Sequence, residues 1–518
     1  MRSTLLHAIL FMMHCMTAQD LSAQLKHTTS SIQHSQLIRH VKIIDGTGSI
    51  AYEGSVRIQD DKISAIGELE PLKGEEVIEG KGLILCPGFI DTHSHHYSNL
   101  AKDPGALATV SQGITTIVIG QDGDSYAMDT LEYYFNHRPV AVNVATYTGQ
   151  TTLRELVMGE NDLLREAKPK EIEKMKILLK NELDKGSLGL STGLEYEGAF
   201  YSSKEEVLEL AKLTSKQHGR YISHIRSEDI TLEDAVDEII EIGRTTQMPV
   251  QISHIKIGMK DKWNRSNEIL KKLDEARKEG IDITADIYPY AHWNSTLKVL
   301  FPKRDYSNLT SARFAVDQLF DASESVLVNY APIPSYKGKT ISVIAQERNE
   351  EAAITLIKLI AMAAEFKKKN PTYSGSIETI IGKSMLDIDI NHFIKWEHSN
   401  ICSDGIGGGH PRGYGTFTRV LGKYVRDEHL MSIEEAIYKM TKLSAEHVGI
   451  KNRGVVSVGN YADLVLFNPN TVKDNATFEN SKAVSTGIEM VWLNGQLIYN
   501  NKKSTGKFSG VLLKREIH

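Results

Sequence analysis

The chain is poor in cysteine, with only Cys15, Cys86 and Cys402 in 518 residues. That scarcity excludes a disulfide framework, so stability must come from apolar burial. Cys86 and Cys402, set in apolar runs, read as small buried side chains. No uninterrupted apolar run is long enough to span a bilayer, since Leu5 to Met16 is too short. Neither sign of charge dominates: the net charge is -6, and no basic stripe with interleaved aromatics appears, which argues against a nucleic-acid role. Internal repeats and low-complexity tracts are absent as well. The length is that of two or three domains, of which a barrel alone would take about 250 residues.

At the amino terminus Arg2 is followed by the apolar run Leu5 to Met16 and then by small and polar residues up to Ala23. This is the order of an export signal, so residues 1–23 are expected to direct the protein to the periplasm or medium. The alternative, if the segment is not a signal, is a cytoplasmic protein. Cys15 lacks the small residue that precedes a lipidated cysteine, which argues against a lipoprotein.

The most informative segment is Asp91-Thr92-His93-Ser94-His95, which ends the apolar run Leu83 to Ile90. Residues two apart on a strand point to the same side, so His93 and His95 would project together as paired imidazole ligands, while His96 would face away. Four further apolar runs end in the same kind of residue, at His224, His254, Asp286 and Asp404. Between most of them lie stretches of helical period, such as Thr231 to Arg244 and Asn267 to Lys278. Strand and helix therefore alternate as in a parallel α/β architecture, and a (β/α)8 barrel gathers its reactive groups at the strand ends.

Two flanking regions, 37–85 and 451–518, carry short alternating runs instead, including a hairpin signal at Asn494-Gly495. Neither has enough strands to bury a core alone, so the two termini are expected to pair into one β-domain around a catalytic unit at 86–450.

Several segments together resemble the amidohydrolase superfamily, and within it the N-acyl-D-amino-acid deacylases (D-aminoacylases). They are CPGFIDTHSH at 86–95, GITT at 113–116, GSLGLSTGLEY at 186–196, SHIRSE at 223–228, SHIK at 253–256, DIYPY at 286–290, SDG with HPRGYGTF at 403–417, and ADLVLF ending at 467. The resemblance implies a metal-bearing TIM-like (β/α)8 barrel, a small β-sandwich from both termini, and an insertion at about 300–395. It implies that His224 and His254 hold the tightly bound zinc, that His93 and His95 hold a second, weaker ion, and that Asp404 is the catalytic carboxylate. Lys256 and Arg412 would bind the substrate carboxylate, with Tyr288 and Ser295 as supporting hydroxyls, although this chain is one residue longer there. Tyr196 would line the acyl side. Lys256 also lies two residues after His254, hence on its side of a strand.

One position departs from the family. Where the deacylases carry a cysteine ligand, this chain reads Gly120-Gln121-Asp122-Gly123. A carboxylate oxygen binds zinc at about 2.0–2.2 Å and can bridge two ions, but it is harder than sulfur, so manganese or cobalt also become candidates. The expected reaction is hydrolysis of a linear amide in a small N-acyl-D-amino acid. Zinc acidifies water and polarises the carbonyl, while Asp404 takes a proton from the water and returns it to the departing nitrogen. The side chain preferred would be set around Tyr196, Trp293 and the insertion. Two other readings stand beside this one. An isoaspartyl, D-dipeptide or cyclic amidase often bridges its metals with a carboxylated lysine, and no lysine ends the strand leading to Asp122. An inactive scaffold would not be expected to keep four matching histidines and Asp404.

Gly407-Gly408-Gly409 lacks the strand-turn-helix spacing of a dinucleotide loop and reads as a mobile active-site loop. Lys367-Lys368-Lys369 reads as a solvated helix end.

Overall fold

The computed structural model describes residues 35–516, so the expected export signal at 1–23 lies outside the described residues. Five strands come first: β1 (Ser35–Ile43), β2 (Tyr52–Gln59), β3 (Lys62–Gly67), β4 (Glu76–Glu79) and β5 (Ile84–Pro87). The next eight are β6 (Phe89–Asp91), β7 (Ile114–Ile119), β8 (Asn143–Thr146), β9 (Thr148–Gly149), β10 (Gly189–Gly193), β11 (Arg220–His224), β12 (Val250–Ile252) and β13 (Ile283–Ile287). Then follow β14 (His292–Ser295), β15 (Val326–Tyr330), β16 (Glu378–Lys383), β17 (Ser399–Ile401), β18 (Leu464–Phe467), β19 (Ile488–Leu493), β20 (Gln496–Asn500) and β21 (Lys503–Ser504).

The barrel is assembled from parallel pairs. One run is β6-β7-β8, and the other is β9-β10-β11-β12-β13-β17. Only Tyr147 separates β8 from β9, so the two runs are continuous there. At the other seam Asp404 N–H donates to His93 O (2.9 Å), and Ser94 bridges Gly405 in parallel. Eight strand positions thus close into a TIM-like barrel. Strands buried on both faces need apolar or β-branched residues throughout, and β7 (ITTIVI) is buried at every position. The covering helices bury one stripe each. In Leu232–Thr246 that stripe includes Leu232, Val236, Ile239, Ile240 and Gly243, near the expected bounds.

The termini share one nine-stranded sheet, joined where β5 and β18 pair antiparallel from Leu464↔Pro87 to Phe467↔Ile84. The sheet folds back on itself, with Lys62 bridging Tyr461, around a core that includes Ile38, Val56, Ile58, Leu464 and Trp492. Asn494 (φ 47°) and Gly495 (φ 75°) form the β19-β20 hairpin turn. A side chain at Gly495 would meet Asp60 O at 1.8 Å, so only glycine fits. Beyond this sheet the chain returns to the barrel, where Val144 N–H donates to Val511 O (3.0 Å) and Leu513 N–H to Val144 O (2.7 Å).

The insertion begins and ends earlier than the expected 300–395. It runs from β14 to β16, a separate sheet in the order β14-β16-β15, and has its own core around Leu300, Phe320, Leu356 and Ile380. Helix Asp387–Lys395 belongs to the barrel instead, because Ile390, Phe393 and Ile394 join the barrel core. Among the described residues no helix is long and apolar enough to cross a membrane.

One buried ion pair positions the loop after β10. Arg154 Nη1 donates to Glu206 (2.5 Å) with both side chains fully buried, and Arg154 Nε donates to Gly198 O (3.1 Å). Replacing Arg154 with Met leaves Glu206 in the interior without its cation, with only Gln150 Nε2 (2.6 Å) donating to its carboxylate from a side chain. Breaking a buried pair in this way costs about 3–5 kcal/mol, so the variant is expected to unfold at a clearly lower temperature in a thermal melt. An unchanged transition would show that the pair does not support this loop.

Candidate metal centre

Each candidate donor leaves the barrel at the C-terminal end of a strand. His93 and His95 follow β6, Asp122 follows β7, His224 ends β11, His254 follows β12 and Asp404 follows β17. The turn carrying Asp122 is left-handed at Gly120 (φ 73°), Asp122 (φ 56°) and Gly123 (φ 85°). A side chain at Gly120 would lie 2.2 Å from Tyr147 O, so the tight turn that aims Asp122 inward depends on glycine. Asp404 (φ 46°) and His254 (φ 36°) share this uncommon conformation. Such backbone costs about 1 kcal/mol or more per residue and clusters at functional sites.

These side chains converge on two adjoining points that share Asp122. Asp122, His224 and His254 form one donor set, and His93, His95, Asp122 and Asp404 the other, with donor atoms in each within 4.8 Å of one another. In the first, His254 Nε2 lies 3.5 Å from Asp122 Oδ1 and 3.1 Å from His224 Nδ1. In the second, His93 Nε2 lies 3.5 Å from Asp122 Oδ1, and His95 Nε2 lies 3.3 Å from Asp122 Oδ2 and 3.4 Å from Asp404 Oδ1. Both ring nitrogens of His93, and Asp122 Oδ1, are buried without a hydrogen-bond partner. A buried polar atom left unpaired costs about 1–3 kcal/mol, and a divalent cation between these lone pairs removes that cost. The imidazole and carboxylate donors therefore fit zinc, manganese or cobalt. The local field agrees: burial opposes a charge on His95, yet Asp122 and Asp404 push its pKa up to about 10.

His96 stays apart from the donors. It is buried under Gly405 and Gly413, and burial holds its pKa down at about 4, as for a neutral packed imidazole.

A second layer of carboxylates was not legible in the sequence. Glu195 Oε2 accepts from His224 Nε2 (3.0 Å), the nitrogen turned away from the donor set. Glu228 Oε1 lies 3.0 Å from His254 Nδ1 and accepts from Lys256 Nζ at 2.6 Å. Carboxylates behind imidazoles fix the tautomer and raise ligand basicity. Below them, Asp286 accepts from the His254 backbone N–H (2.6 Å) and from Gln251 Nε2 (2.8 Å), while Asp91 accepts from Ser403 N–H (2.7 Å). Burial pushes the Asp91 pKa up to about 7. Cys86 and Cys402 are fully buried.

A pocket opens beside the first donor set. Lys256, Tyr288, Ser295, Arg412 and Tyr196 all line it, together with His224, His254 and Asp404. Ser295 comes from β14 of the insertion, and the Tyr196 ring lies 4.4 Å from that of His224. Arg412 Nη1 lies 2.7 Å from Asp404 Oδ2, and its guanidinium sits 4.6 Å above the Tyr288 ring. That close contact is not aligned as a hydrogen bond, and Arg412 Nε and Tyr288 Oη are also buried without acceptors. Burial acts to raise the Asp404 pKa, but Arg412 and the neighbouring imidazoles outweigh it and hold the carboxyl far below the usual range. The larger mouth beyond reaches His95, Asp124 and Lys367.

Comparison with known proteins agrees with this geometry. The chain is 32% identical to the D-aminoacylase of Alcaligenes xylosoxydans xylosoxydans over 501 residues, covering 91% of this chain and 96% of the relative. It superposes on a crystal structure of D-aminoacylase with a TM-score of 0.82 at 31% identity, covering 93% of this chain and 99% of the other. It also superposes on N-acyl-D-glutamate deacylase from Bordetella bronchiseptica, complexed with zinc and a phosphonate mimic of the tetrahedral intermediate, with a TM-score of 0.81 at 28% identity, covering 93% and 100%. The amidohydrolase family model matches residues 76–325 and 400–499. With this barrel, these strand-end donors and these relatives, the chain belongs to the amidohydrolase family and, within it, to the D-aminoacylases.

Proposed function

We propose that this zinc-dependent amidohydrolase cleaves N-acyl-D-amino acids to a carboxylate and a free D-amino acid. The observation that carries the reading is the meeting of two donor sets at Asp122 beside a cavity lined by the buried cations Lys256 and Arg412. In this reading Asp122, His224 and His254 hold the principal ion, and His93, His95, Asp122 and Asp404 can hold a second. A bound ion of this kind acidifies water toward neutrality and withdraws electrons from an amide carbonyl.

The chain's own residues do the rest. Asp404, ionised at neutral pH, accepts a proton from the attacking water and delivers it to the leaving nitrogen. Arg412 Nε and Tyr288 Oη, both buried and free of acceptors, receive the substrate's α-carboxylate with Lys256 and Ser295. Tyr196, its ring tilted against that of His224, lines the acyl side and excludes water. Asp122 makes both positions harder than a thiolate would, so manganese and cobalt are accepted alongside zinc.

The test is hydrolysis of paired N-acetyl-D- and N-acetyl-L-amino acids by the zinc- or manganese-loaded protein, with chelated protein as control. Metal-dependent release of D-amino acids, and none from the L series, is the expected result. A metal-loaded protein that hydrolyses only dipeptides or cyclic amides would overturn the reading.

A further inference from the structure

One charged group in the cavity has no part in the reaction described above. Asp229, on the loop after β11, is 7% exposed and lines the same cavity as Lys256 and Arg412. Its Oδ1 accepts from Ser227 Oγ (2.6 Å) and from Ile230 N–H (2.5 Å). Both are neutral donors, and among the described residues no cation pairs with it. The neighbouring cations lie against other carboxylates: Lys256 Nζ donates to Glu228, and Arg412 Nη1 faces Asp404. Burial, Glu195 and Glu228 together push the Asp229 pKa up to about 7, so a cation seated against it would be the partner that keeps it ionised.

Part of the same lining is apolar. Val299, Leu300 and Leu319, all from the insertion, line the cavity together with Asp229 and with the anion-seeking groups Arg412 and Tyr288. The cavity therefore combines anion-binding groups, an aliphatic lining and an acid that no cation pairs. An amino acid that matches all three has an α-carboxylate, a methylene stem and a terminal positive charge.

Resting on the deacylase reading, we infer that the amino-acid part of the substrate is a basic D-residue of the lysine, ornithine or arginine class. Its methylenes run along Val299, Leu300 and Leu319, and its cation pairs with Asp229. An acidic side chain would meet Asp229 and Glu195 and be repelled, which makes Asp229 a specificity-determining residue by repulsion as well as attraction.

The experiment measures kcat/KM for N-acetyl-D-lysine, N-acetyl-D-arginine, N-acetyl-D-leucine and N-acetyl-D-glutamate with the metal-loaded full chain. The basic substrates are expected to exceed leucine by at least about tenfold, and glutamate by more, since a desolvated charge pair discriminates more strongly than a methylene contact. Asp229→Asn keeps the shape and the acceptor for Ser227 and Ile230, so folding can be checked by an unchanged thermal transition. In that variant the lysine-to-leucine ratio of kcat/KM should fall at least about tenfold. Preference for leucine or glutamate, or an unchanged ratio in Asp229→Asn, overturns this inference and leaves the deacylase reading standing. No turnover of any N-acyl-D-amino acid by metal-loaded protein overturns both.

Discussion

Replacing Asp404 with Asn is expected to lower kcat by about 100-fold to 10,000-fold, because that is the contribution of a positioned acid-base group. At about 1.36 kcal/mol per decade the loss corresponds to about 2.7–5.4 kcal/mol of transition-state stabilisation. The carboxamide keeps the size of the carboxylate but cannot take up the water's proton or pass it to the leaving nitrogen. Ground-state binding should change far less, since Asp404 is not among the groups assigned to the substrate carboxylate. KM is therefore expected to move within a few-fold, and metal analysis should still find the ion held by Asp122, His224 and His254. Near-normal kcat in this variant would remove Asp404 from the proton-transfer role. A loss of all metal would instead show that Asp404 acts through ligation, as its 3.4 Å approach to His95 Nε2 would permit.

The second large effect concerns the metal itself. His224→Ala and His254→Ala each delete an imidazole from the donor set shared with Asp122, and each is expected to abolish stoichiometric metal binding and, with it, turnover. The carboxylates behind those rings should give a graded result. Glu195→Gln and Glu228→Gln keep the ligands but weaken their orientation and basicity, and changes of this kind cost about 10–100-fold in metal affinity or activity. Titration of apo-protein with zinc, read by calorimetry or a competing chelator, separates the two classes. Full metal affinity in both carboxamide variants would reduce Glu195 and Glu228 to packing roles. Glu228→Gln also releases Lys256 from its buried partner, so a fall in KM once the metal effect is allowed for would place Lys256 at the substrate carboxylate.

The legible part of the site was legible for a local reason. A strand buried on both faces announces itself as an apolar run, and the first polar residues after it sit at the barrel mouth, whatever the rest of the chain does. His93, His95, Asp122, His224, His254 and Asp404 all follow this rule, and the structure brings them together. Glu195 and Glu228 lie in segments already singled out, GSLGLSTGLEY and SHIRSE, yet nothing local separates them from ordinary loop acids. Glu228 follows His224 by four residues, but its closer imidazole contact is with His254 of the next strand, 3.0 Å against 3.8 Å for His224. The bounds of the insertion are hard to read from the sequence for a similar reason. Helix Asp387–Lys395 carries the same kind of amphipathic pattern as the helices inside the insertion, and only its packing against the barrel core assigns it.

The sequence by itself determined the strand-helix alternation and the candidate donors at the strand ends, because period and burial are properties of short segments, and resemblance to the deacylases marked Asp122 as standing where they carry a cysteine. Tertiary structure alone decided which candidate donors come together, which carboxylates stand behind them, and that the insertion lines the cavity along with Asp229. Those depend on which strands become neighbours around the barrel and on the seam at which Asp404 N–H meets His93 O, contacts between residues far apart in the chain that no local pattern encodes.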